Sequence, residues 1–148
     1  MAVRKQICTF WLGNRLFGID VLKIQEVIRF QDVTEVPLAP AAVRGLLNLR
    51  GAIVSALDLR ARIGMEPQEG DVTPCNIVCQ IGDGLASLLV DRIGDVVEID
   101  QSQLEPPPET VRGPARDLIE AVCKLPSNLL MVLNVERAAD LELEPVGI

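Results

Sequence analysis

The chain has 148 residues, of which 14 are Lys or Arg, 21 are Asp or Glu and none is His, giving a net charge of −7. At that length one domain, or two small lobes around a shared core, buries about two-thirds of its unfolded surface, so no metal or disulfide is required for stability. The acidic balance argues against nucleic-acid and anionic-membrane surfaces, which gather Lys and Arg, and without histidine there is no Ser-His or Cys-His pair and no imidazole base.

Apolar residues make up 49% of the chain, yet it holds three Phe, one Trp and no Tyr. The core is therefore expected to be built from Val, Ile, Leu and Ala. No apolar run reaches the length of a membrane span, and the opening MAVRKQICTF lacks a signal-peptide core. The expectation is a cytoplasmic protein with no direct membrane binding.

Ile7 to Leu12 (ICTFWL) reads as an apolar strand, Gly13-Asn14 as a tight turn, and Arg15 to Ile19 as the returning arm of a hairpin. Asp20 caps a brief turn through Val21 to Lys23, and Ile24 to Phe30 (IQEVIRF) extends again with Glu26 among its polar positions. Pro37 and Pro40 mark a loop, VPLAPAAVRG.

The stretch LLNLRGAIVSALDLRARIG, residues 46 to 64, carries the most information. Leu47 to Arg50 read as a strand end broken by Gly51, and Ala52 to Leu57 as a strand buried on both faces. Asp58 is placed to cap one helical turn, Leu59 to Ile63, which Gly64 ends in a left-handed conformation. Arg44, Arg50, Arg60 and Arg62 stand against Asp58 alone, so the segment is locally basic in an acidic chain. Burying an arginine among leucines without a partner is costly. Arg50 therefore lies at an exposed strand end or meets a carboxylate from elsewhere, as a structural ion pair or as a docking residue that faces an acidic protein patch.

MEPQEGDVTP reads as a flexible loop. Cys75 to Ile81 and Leu85 to Val90 follow as strands joined at Gly82-Asp83-Gly84, and Asp91 to Gly94 turn the chain into the strand Asp95 to Asp100. Gln101 to Asp117, with three consecutive prolines and Gly113-Pro114, favours extended loop over helix. Ile119 to Leu125 and Leu129 to Leu133 form a last hairpin, Asn134 caps a short helix from Val135 to Leu141, and the acidic tail LELEPVGI is expected to fray. Nine or ten short strands and no long amphipathic helix make an all-β fold. GIDVLKIQEVI and LLVDRIGDVVEI echo each other, a weak internal repeat that supports two lobes.

Catalytic signatures are absent from the sequence: there is no GxxxxGK[ST], and no GxGxxG opens a helix. Asp91, Asp95, Glu98 and Asp100 alternate with apolar residues as a solvated strand face does. Nothing positions a substrate between paired carboxylates, and aromatic residues are too few for a stacking platform. Cys8, Cys75, Cys79 and Cys123 read as reduced core thiols. Cys75 and Cys79 lie about 13 Å apart along a strand, and a zinc site would need all four thiolates to converge. A remote alternative is a small-ligand or enzymatic β-barrel that uses the acidic strand face.

FWLGNRLFGIDVLKIQEVI, VPLAPAAVRGLLNLRGAIVSALDLRARIG and IEAVCKLPSNLLMVLNVERAADL closely resemble the CheW family of chemotaxis coupling proteins, over about residues 6 to 141. The resemblance implies two SH3-like five-stranded β-barrels around a continuous core, with short connecting and C-terminal helices, in a single domain spanning 1–148. It implies no enzymatic activity, no cofactor and no metal. The implied partners are the cytoplasmic tips of chemoreceptors and the regulatory domain of a CheA-type histidine kinase, a domain of the same fold, with weak self-association a further possibility. Contacts carried over from the family fall on Val21, Ile24 and Glu26, then on Gly45 and Arg50, with Glu26 as the acidic partner of Arg50. Ser55, Ala42 and Ala121 depart from the family's usual proline, aromatic and glycine, and Cys75-Asn76 from its usual β-branched strand start. The same resemblance allows coupling in pilus motility or development in place of flagellar chemotaxis.

Overall fold

The computed structural model describes residues 3–29, 33–67, 70, 73–111 and 113–140. Ten strands form two five-stranded sheets. The chain opens with β1 (Arg4–Leu12) and β2 (Arg15–Asp20), paired antiparallel across Gly13-Asn14. The Asp20 side chain then accepts from the Leu22 amide at 2.9 Å and caps a 3-10 turn, Val21–Lys23. This turn carries the chain into β3 (Ile24–Ile28), which joins the other sheet. β4 (Val43–Leu49), β5 (Ala52–Asp58) and the helix α1 (Leu59–Ile63) complete the first half.

The second half repeats this order: β6 (Cys75–Ile81), β7 (Gly84–Val90), β8 (Arg92–Asp100), β9 (Ile119–Lys124), β10 (Leu129–Leu133), with α2 (Pro114–Leu118) ahead of β9 and α3 (Val135–Ala139) at the end. One sheet runs β8-β1-β2-β10-β9 and the other β3-β6-β7-β5-β4. Shifting every strand by half the chain's set converts one order into the other. Each half thus places its first two strands in one sheet and its last three in the other, and the echo in the sequence falls on the two crossovers, β2 to β3 and β7 to β8.

Both sheets curl without a continuous ladder between their outer strands. A single antiparallel bridge does the work instead. Thr34, beyond β3, exchanges two 2.8 Å backbone hydrogen bonds with Leu46 of β4. Glu105, beyond β8, does the same with Val122 of β9, also at 2.8 Å. The result, among the described residues, is two SH3-like sheets whose outer edges are each joined by one backbone bridge. Gly45 makes the first bridge possible, since a Cβ there would sit 2.3 Å from the Thr34 carbonyl oxygen.

Three apolar clusters follow from strand alternation. Phe10, Phe17, Leu57, Leu88 and Leu133 fill the space between the lobes. Ile7, Leu16 and Leu130 fill one barrel, and Leu47, Val54 and Val78 the other. Because β6 and β7 serve both an inner and a central cluster, they read as almost continuous apolar runs. β5 departs from the expectation of burial on both faces: Ile53 is 65% exposed, because the first lobe covers only the far end of that strand.

Several expected boundaries shift. β1 starts at Arg4, held there by pairing with Asp100, since exposed charges do not interrupt a backbone ladder. β4 starts at Val43, inside the expected loop, and β8 at Arg92, where a turn was expected. β3 ends at Ile28, and Phe30 lies outside the described residues. The expected loop from Gln101 holds a 3-10 turn, Gln101–Gln103, closed by an Asp100 capping box. It also holds α2, for which Pro114 supplies a first-turn proline rather than a break. Arg116 ties this region together by donating to the carbonyls of Pro108 (2.7 Å) and Val111 (3.0 Å). α3 ends at Ala139; Leu141 and the tail expected to fray lie outside the described residues, as do parts of the expected flexible loop at 68, 69, 71 and 72.

Candidate functional site

The β4–β5 hairpin closes on Arg50-Gly51, with φ of +50° and +91°. Positive φ at both central residues matches the right-handed twist of the strands. Arginine is an unusual choice at the first of them. The Asn48 side chain braces the turn by accepting from the Gly51 amide at 2.8 Å. Arg50 is thereby held at the hairpin tip.

Its guanidinium meets Glu26 of β3 through two contacts, Nη1 to Oε2 at 3.2 Å and a closer one from Nη2 to Oε1. β3 and β4 are the two outer strands of their sheet, so the pair clasps opposite edges of the curled barrel. The Arg50 side chain is 68% exposed and that of Glu26 23%, so the cation is presented and the carboxylate recessed. The Arg50 hydrogen bond holds the Glu26 carboxyl below the usual carboxylate range, and Glu26 in turn raises Arg50.

Val21 and Ile24 lie half-buried on the crossover that leads to Glu26. Leu22 and Val27 beside them are exposed, as is Ile53 just past the hairpin turn. This region combines apolar surface with two ion pairs, Arg50–Glu26 and, on the crossover turn, Lys23–Glu136 at 2.8 Å. Gly45 stands apart: it is buried under Thr34 and Val33 and serves the barrel closure described above.

The locally basic stretch is not a basic surface. Arg44 pairs with Asp58 at 3.1 Å. Arg60 is bound to Asp91 by two hydrogen bonds. Arg62 is buried and donates to the carbonyls of Ala138 and Arg137, each at 2.8 Å, and of Asp140 at 3.2 Å. There it closes the C-terminal end of α3, where a cation is favoured. Asp91 corrects a second expectation. It is 7% exposed rather than part of a solvated face, because it sits at the β7–β8 crossover between the lobes.

Sequence reasoning also missed a buried polar pair, Ser87 donating to Asn76 Oδ1 at 2.9 Å. The only hint was an asparagine in an apolar strand. Cys8, Cys79 and Cys123 are buried and Cys75 half-buried, all as free thiols. Among the described residues no three acidic or thiol side chains gather to hold a metal, and no helix is long and apolar enough to cross a membrane. An open groove of about 520 Å3 lies under α2, lined by Phe17, Ile119, Leu129 and Met131 with Val111 and Ala115.

A family model for the CheW-like domain matches residues 6–142. The chain is 30% identical over 136 residues to the chemotaxis protein CheW of Treponema pallidum, covering 89% of this chain and 80% of that one. It is also 30% identical over 135 residues to the chemotaxis protein CheW of Klebsiella aerogenes, covering 91% and 81%. The crystal structure of the scaffolding protein TtCheW from Thermoanaerobacter tengcongensis superposes with a TM-score of 0.85 at 28% identity, covering 93% of this chain and 94% of that one.

Proposed function

The chain belongs to the CheW-like domain family, and from that premise we propose that it is a non-enzymatic cytoplasmic adaptor of chemosensory signalling. It joins the cytoplasmic tips of chemoreceptors to the regulatory domain of a CheA-type histidine kinase. The observation that carries this reading is the Arg50–Glu26 pair: a cation set on a strained hairpin tip, aimed by a recessed carboxylate and flanked by exposed Leu22, Val27 and Ile53.

Such a face suits protein contact. Its apolar residues supply area, and the fixed charge of Arg50 supplies register and selects partners. Val21, Ile24, Glu26 and Arg50 form this contact region, and Gly45 keeps the barrel edge in position behind it. The test is reconstitution of the chain with a CheA-type kinase and a soluble receptor fragment. A three-component complex that requires this chain supports the reading; failure of the chain to bind either protein overturns it.

A further inference from the structure

The open groove of about 520 Å3 under α2 has an apolar lining that the described residues leave uncovered. Leu129 in it is 39% exposed, and Val111, Ala115 and Met131 are half-buried. Arg15 also lines the groove and is exposed. It makes no ion pair among the described residues, although the chain has a net charge of −7.

The described chain stops beside this groove. Arg62 donates to the carbonyls of Arg137, Ala138 and Asp140, which fixes the end of α3 against α1. Ile63, the next residue of α1, lines the groove. Residues 141–148 follow and lie outside the described structure. A segment of that length reaches about 27 Å when extended, enough to pass Ile63 and cross the groove. Its sequence is LELEPVGI. Alternation of Leu141 and Leu143 with Glu142 and Glu144 gives an extended chain one apolar side and one acidic side. That pattern complements an apolar groove edged by an unpaired arginine. A short tether also holds the segment at an effective concentration of about millimolar, so modest contact suffices.

We propose that residues 141–148 fold back into the groove under α2, with their leucines on Leu129 and Met131 and their glutamates toward Arg15. The chain then occupies this surface itself. Any other ligand of the groove has to displace the segment first, so the segment is an autoinhibitory strap. The proposal is independent of the adaptor reading above.

The test is amide NMR on the full chain. In the wild type the order parameters of Leu143 and Val146 are expected above about 0.6, and values below that overturn the proposal. The double variant Leu141→Asp with Leu143→Asp should lower them and shift the amide signals of Ala115, Ile119, Leu129 and Met131. The signals of Glu26 and Arg50 should stay in place. Arg15→Glu should shift the same groove signals, and adding Glu142→Lys with Glu144→Lys should bring them back. Should Arg15→Glu unfold the chain, the double leucine variant, which alters no described residue, still decides. Shifts confined to α3, or an ordered segment with unmoved groove signals, overturn the proposal. Shifts that scale with protein concentration assign the groove to a second copy's segment and overturn it as well.

Discussion

Arg60 grips Asp91 through two nitrogens, Nε to Oδ1 at 3.0 Å and Nη2 to Oδ2 at 2.6 Å, with side chains only 15% and 9% exposed. The Gly13 amide donates to the same Oδ2 at 2.6 Å. One carboxylate therefore ties the β1–β2 turn of one lobe to α1 of the other at the point where the chain crosses between them. Removing one member of a buried pair leaves the other charge uncompensated, so Asp91→Leu should lower stability by about 3–5 kcal/mol. The double change Asp91→Leu with Arg60→Met should cost less than Asp91→Leu alone, as read by urea unfolding.

The same carboxylate sets an acid limit. Burial raises the Asp91 carboxyl, but the Arg60 and Gly13 hydrogen bonds outweigh it and the net shift is downward. A carboxyl lowered in the folded state contributes its full stabilisation above its unfolded pKa and loses it as pH falls through the folded value. The stability gap between wild type and Asp91→Asn should therefore be constant near neutrality and shrink on acidification below the ordinary aspartate range. A gap that does not change with pH would contradict this.

Arg50 should matter for binding far more than for folding. Its side chain is mostly in water, so Arg50→Ala should leave the circular dichroism spectrum and the melting temperature close to wild type. Affinity for the receptor fragment or the kinase domain should drop, and the residual binding should depend less on salt. Unchanged affinity for both would remove Arg50 from the contact region.

Ser87 and Asn76 should behave as a unit. Ser87→Ala leaves the buried Asn76 Oδ1 without the donor it has, at a cost of about 1–3 kcal/mol. Adding Asn76→Val to that variant should recover part of the loss. A double-mutant cycle on thermal unfolding measures the coupling.

The thiols should differ in reactivity. Burial pushes Cys8 and Cys123 upward, and Cys79, also buried, reaches about 12. At pH 8 their thiolate populations are small and shielded. Half-buried Cys75 should be labelled first in the native protein, and the other three only on unfolding.

The sequence determined on its own whatever depends on neighbours in the chain. Asp20, Asp58 and Asn134 cap the turns expected of them, and Gly64 ends α1 in the left-handed region. The residue pattern also indicated two lobes and, through the family resemblance, the Glu26–Arg50 pair. Contacts between distant segments were decided only in three dimensions. Arg60 and Arg62 look alike in DLRARI, yet one meets a carboxylate 31 residues away and the other closes a helix more than 70 residues away. Asp91 looked solvated because alternation reports which strand face a residue occupies, not what covers that face. The crossing of the chain between sheets after β2 and after β7 set those covers, since only packing of one lobe against the other fixes which polar groups leave water and which partners they find there.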